Sequence, residues 1–205
     1  EVFSPDNGRV FEYVESEVMD SIINYPLYYQ LLNSFRADAE NASVAVRDFN
    51  GKEYDNQTSM VTLANLVADQ RKYYGPFKMP VLGNFAESHD VFRLPSLFSD
   101  LALRKSMILY TLAAEGISLI YYGMEQDLDQ ADFGIWDSHA WRVPLWTTGY
   151  KTADAKNGMY DFIARVNLLK HRMPIIDFRN ASQVELHVQE KMLVFQRGRV
   201  VVALT

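Results

Sequence analysis

Apolar positions alternate between strand-like runs and helical spacing along most of the chain. Val18 to Pro26 is a β-favouring run closed by proline, and Tyr28, Leu31, Leu32 and Phe35 follow at helical spacing. Asp38 to Thr58 is polar and predicts an exposed loop. Met60, Leu63, Leu66 and Val67 mark an amphipathic helix that Gly75-Pro76 should end. Pro80 to Ala86 predicts a buried strand. Ser99 or Asp100 can cap the next helix, with Leu103, Met107, Tyr110 and Ala114 on one face, and Gly116 stops it. Ile117 to Gly123 predicts another strand, and Met124 to Gly149 a long loop holding all three Trp. Asp154 can cap a last helix carrying Met159, Phe162, Ile163, Val166 and Leu169, which Met173-Pro174 closes.

Strands of near-continuous apolar character between helices are the pattern of a parallel sheet with helices outside it. An α/β fold is therefore expected, either half of an eight-stranded barrel or a doubly wound sheet; periodicity does not separate the two. Beyond Pro174 the rhythm changes. Val184 to Val188 alternates, and Met192 to Phe195 and Val200 to Leu204 flank a turn at Gly198, as in antiparallel strands.

Composition narrows the function classes. The 205 residues are 48% hydrophobic and 13% aromatic with a net charge of −6, as for a globular protein. There is no basic cluster to neutralise phosphates, which argues against a nucleic-acid partner and gives no support for an anionic membrane surface. The longest apolar stretch, Met107 to Gly123, is interrupted by Glu115, Gly116 and Ser118, so a helix, a break and a strand explain it better than a membrane span. No cysteine is present, so disulfide and thiolate chemistry are excluded. No signal peptide is visible, while sequons at Asn41, Asn56 and Asn180 hint at a secreted glycoprotein. The four His, at 89, 139, 171 and 187, lack metal-ligand spacing, and no metal site is expected.

The densest chemistry lies at Val81 to Arg93, where an apolar strand ends abruptly in Glu87, Ser88, His89, Asp90 and Arg93. A strand running into a charged surface loop looks like this; so does a strand delivering polar groups to a cleft. Glu87 reads as a structural partner of Arg93.

The order Phe85, Glu87, His89, Asp90, Arg93 resembles the strand-seven motif of the α-amylase family of glycoside hydrolases, with Ser88 where the family has Asn. Glu1-Val2-Phe3 is similar to its strand-five motif. Val18 to Tyr29 resembles strand six and the following helix of fungal-type members, Ile117 to Gln126 strand eight and the run after it, and Arg142 to Tyr150 a loop reaching back to substrate. The likeness covers nearly the whole chain.

The resemblance implies a (β/α)8 (TIM) barrel segment at 1–175, from the end of strand five through helix eight. The start of an antiparallel β-sandwich domain at 176–205 would follow. It also implies roles. Glu1 would be the general acid/base, Asp90 a catalytic carboxylate that binds sugar hydroxyls and stabilises the transition state, and His89 a sugar ligand at the cleavage subsite. Phe3 would lie near the leaving group, where Pro5 replaces a common Gly, and Asp137 and Arg142 would contact sugar. Asp137 is displaced by one residue from the family's Asp–Arg spacing. Trp136, Trp141 and Trp146 could stack on sugar or pack the loop. The family's nucleophile belongs to a Gly-x-Arg-x-Asp motif that does not occur here, so the chain alone should not turn over substrate. Structural calcium is implied, with ligands outside this chain. The expected parent is a secreted, monomeric, retaining endo-hydrolase of α-1,4-glucan. An α-glucosidase, a transglycosylase or a non-catalytic α-glucan-binding homologue is the alternative.

Overall fold

A computed structural model describes residues 2–36, 59–129, 140–150, 158–173, 178 and 181–205. Helix α1 (Asn7–Glu15) starts where the Asp6 carboxylate accepts from the Gly8 and Arg9 amides, satisfying two of the first-turn donors. It buries Val10 and Val14. Asn24 plays the same part for α2 (Tyr25–Arg36), its Oδ1 accepting from Leu27 N at 3.2 Å.

The strand expected at 18–26 shrinks to a short contact. Gly83 N donates to Ile22 O at 2.9 Å and Asn24 N donates to Gly83 O at 2.8 Å. Pro26 belongs to the first turn of α2, where its missing N–H has no intrahelical acceptor to lose. Helix α3 (Met60–Lys78), capped by the Ser59 hydroxyl, bends at Gly75 (φ 59°). The Gly75-Pro76 break predicted as an end is thus a kink, and one further turn precedes a 3-10 turn at Met79–Val81.

Strand β1 (Gly83–Phe85) is fully buried. The short helix α4 (Leu94–Leu97) follows, then α5 (Leu101–Ala113), which is capped by Asp100 as expected. Strand β2 (Ile117–Leu119) pairs in parallel with β1, Gly83 against Ile117 and Phe85 against Leu119. The 22–24 segment, β1 and β2 therefore run the same way, joined by helical crossovers. Beyond Leu119 the predicted strand gives way to turns, since among the described residues β2 has a hydrogen-bonded neighbour on one side alone. Two 3-10 turns, Ala140–Arg142 and Leu145–Thr148, follow, then α6 (Met159–Arg172). Asp154, its expected cap, lies outside the described residues. No helix among the described residues is long and apolar enough to cross a membrane.

The antiparallel pattern near the end forms a three-stranded meander of β3 (Gln183–Gln189), β4 (Met192–Arg197) and β5 (Val200–Leu204). Gly198 (φ 59°) opens the β4–β5 turn. Leu193, Phe195, Val202 and Leu204 are buried, and the Tyr110 ring meets Phe195 at 5.5 Å, edge on. Polar ties cross the same junction. Arg71 donates to Glu185 at 2.7 Å, and the Glu115 carboxylate accepts from Gln183 N at 3.0 Å.

Candidate active site

In a parallel sheet the loops that follow the strands' C-terminal ends gather on one face. After β1 the chain keeps Ala86 and Glu87 buried and then turns outward. Asp90 N donates to Ser88 Oγ at 3.2 Å, which closes the turn and presents His89 and Asp90 side by side. His89 Nε2 lies 2.9 Å from Asp90 Oδ2, and Arg142 Nη2 donates to Asp90 Oδ1 at 2.7 Å. Each carboxylate oxygen of Asp90 thus has its own nitrogen partner, which fixes the plane of the group. The Asp90 side chain is one-quarter exposed, while those of His89 and Arg142 are about half exposed (47% and 48%), so the cluster faces solvent.

Behind it stands a buried layer. Glu87 Oε2 accepts from Leu94 N at 2.7 Å, and Oε1 lies 3.4 Å from Arg93 Nη1. The expected Glu87–Arg93 pair is present and fully buried. Loss of solvation pushes the Glu87 carboxyl up to about 7, against the opposing charge of Arg93 and the Leu94 N–H. The Arg93 guanidinium lies over the Tyr121 ring at 4.3 Å from its centroid. Burial pushes the Tyr121 phenol upward as well, so the hydroxyl acts as a neutral donor.

Three of the six residues singled out from sequence come together: His89, Asp90 and Arg142. Phe3 joins an aromatic group instead. Its ring is 4.4 Å from Tyr25, which in turn meets Phe85 at 4.9 Å. Glu1 and Asp137 lie outside the described residues, as does Trp136. Trp141 packs edge-on against Phe92 at 5.2 Å, whereas Trp146 is exposed. Tyr121 and Tyr122 carry contacts of the site that no role was read for in the sequence. The pattern places them in a predicted strand, and the acceptors they reach are backbone carbonyls on a distant loop. Among the described residues no group of three or more His, Asp or Glu could hold a metal ion.

A carboxylate, an imidazole and a guanidinium on an open rim offer donors and acceptors to a polyhydroxylated ligand. Barrel enzymes carry their active sites at the C-terminal ends of their strands. No protein-family model matches the chain. It is 31% identical over 200 residues to α-amylase 2 of Schwanniomyces occidentalis, covering 97% of this chain and 34% of that protein. An α-amylase from Malbranchea cinnamomea superposes with a TM-score of 0.79 at 24% identity, over 100% of this chain and 38% of that one. The α-amylase of Geobacillus thermoleovorans, solved in complex with acarbose, superposes with a TM-score of 0.70 at 21% identity, over 98% of this chain and 40% of that one. The chain belongs to the α-amylase family of glycoside hydrolases, an enzyme family, and spans about a third of the length of that curated relative.

Proposed function

We propose that this chain supplies the strand-seven side of an α-glucan-hydrolysing site. The observation that carries the reading is the Asp90 carboxylate, oriented by His89 and Arg142 at the C-terminal end of a parallel strand. Cleavage of a glycosidic bond builds positive charge at the anomeric carbon, and a fixed carboxylate there stabilises it without having to reorganise. Asp90 would fill that role while binding sugar hydroxyls, and His89 and Arg142 would donate to the same ring or its neighbour. The acarbose complex of the Geobacillus enzyme supports an α-glucan-like ligand.

The remaining roles follow the family pattern. Glu1 would be the general acid/base, Phe3 would border the leaving-group side and Asp137 would contact sugar. Residues 1–175 would be the barrel part, from the end of strand five through helix eight, and 176–205 the start of an antiparallel β-sandwich domain. The meander and the parallel 22–24/β1/β2 order support that division. The parent would be a secreted, monomeric, retaining endo-α-1,4-glucanase whose nucleophile is a separate Asp. Calcium is implied by the family alone. Among the described residues no group of three or more His, Asp or Glu could hold it, and its ligands would lie outside this chain.

The test is Asp90→Asn in the full-length parent acting on linear α-1,4-glucan. The change keeps the shape and removes the charge, so kcat should fall on the order of 10²–10³-fold with folding intact. Proton NMR of the first product should show the α-anomer. Unchanged kcat would remove Asp90 from the mechanism, and a β-anomer would overturn retention.

A further inference from the structure

Arg142 reaches Asp90 from a single 3-10 turn, so something else must fix that turn. The carbonyls on both sides of Arg142 are held by side chains from other loops. Trp141 O accepts from Arg93 Nη2 at 2.8 Å and from Tyr121 Oη at 3.1 Å. Val143 O accepts from Tyr122 Oη at 2.9 Å. Arg93 Nη1 also donates to Tyr122 O at 2.7 Å, tying the loop after β2 to the same guanidinium. The Arg93 side chain is fully buried beneath both tyrosine rings, so it meets no substrate.

We propose that Arg93, anchored by Glu87, is a positioning residue that holds the 140–143 turn so that Arg142 closes on Asp90. The proposal rests on reading this face as the sugar-binding site. The planar fork is essential, because two nitrogens at fixed separation serve two carbonyls and a carboxylate at once. A lysine ammonium keeps the charge but lacks the fork.

The experiment uses the full-length parent carrying Arg93→Lys, the neutralising pair Glu87→Gln with Arg93→Met, Arg142→Ala, and Arg93→Lys combined with Arg142→Ala. The neutralising pair leaves no lone buried charge, which keeps a folded variant available if Arg93→Lys fails to fold. In crystal structures of the folded variants that keep Arg142, its guanidinium should lie outside hydrogen-bond distance of Asp90. On a linear α-1,4-glucan oligomer, kcat/KM should fall on the order of 10- to 100-fold, as expected for misplaced contacts. Arg93→Lys should cost little in the Arg142→Ala background, because both act through one contact. An Arg142–Asp90 contact that survives in the variants overturns the proposal, as do losses that multiply. If the wild-type parent does not hydrolyse α-glucan, the functional reading fails, and the crystallographic distance still decides the role of Arg93.

Discussion

Glu87 sits in the same buried layer as Arg93, and its charge state is a stability question. Burial raises its carboxyl from 4.5 to about 7 against the pull of Arg93. The folded state then binds the proton more tightly than the unfolded chain. The stability this contributes is fully present below about 4.5 and is lost as pH rises through about 7. Glu87→Gln abolishes the titration. The urea midpoint of the wild type relative to Glu87→Gln should therefore be higher at about pH 5 than at about pH 8. The opposite slope would mean that Arg93 keeps Glu87 ionised in the folded protein. Gly116 is a second residue with a sharp expectation. Its φ is 128°, and a Cβ there would lie 2.5 Å from Asn84 Nδ2 and 2.7 Å from Leu82 O. Asn84 is buried and donates to Glu115 O at 2.7 Å, so it has little room to retreat. Gly116→Ala should cost roughly 2–4 kcal/mol in denaturant unfolding, from strain and overpacking together.

At the scale of elements, local signals were legible where period and cap agreed. Helix α5 carries an apolar face and the Asp100 cap, whose carboxylate accepts from Ala102 N at 2.6 Å. Asp100→Ala should lower stability by about 1 kcal/mol in the same unfolding assay. Helix α1 sets no readable period because it buries two residues, Val10 and Val14; its one sign in the sequence is the Asp6 cap. The strand expected at 18–26 is reduced to a short contact at residues 22–24. Its residues favour strands, but the Asn24 side chain and Pro26 suit a helix start, and pairing stops where α2 begins. For the site, His89 and Asp90 could be read because they are adjacent in sequence. The clamp on Arg142 could not, since it joins hydroxyl and guanidinium donors to backbone carbonyls across 20 to 48 positions. No side-chain pattern encodes a carbonyl acceptor.

For the whole molecule the decisive feature is an apolar face left open beside β1 and β2. Val2, Ile22, Ile23, Val81, Ile117 and Leu119 line a hollow of about 300 Å³ with broad access to solvent. Ile117 is 50% exposed and Leu119 37% exposed, although both are strand residues of core type. Strand β2 also lacks a hydrogen-bonded neighbour on one side among the described residues. An open parallel edge next to exposed Ile and Leu is a template for association. In a closed barrel the edge would be paired and the hollow filled by facing side chains. The 205-residue chain expressed by itself should therefore self-associate and bind a hydrophobic dye. Size-exclusion chromatography with light scattering reads the first property directly. A monomer with a cooperative thermal transition would show that the chain's own residues cover this face, and the half-barrel assignment of 1–175 would then have to be given up.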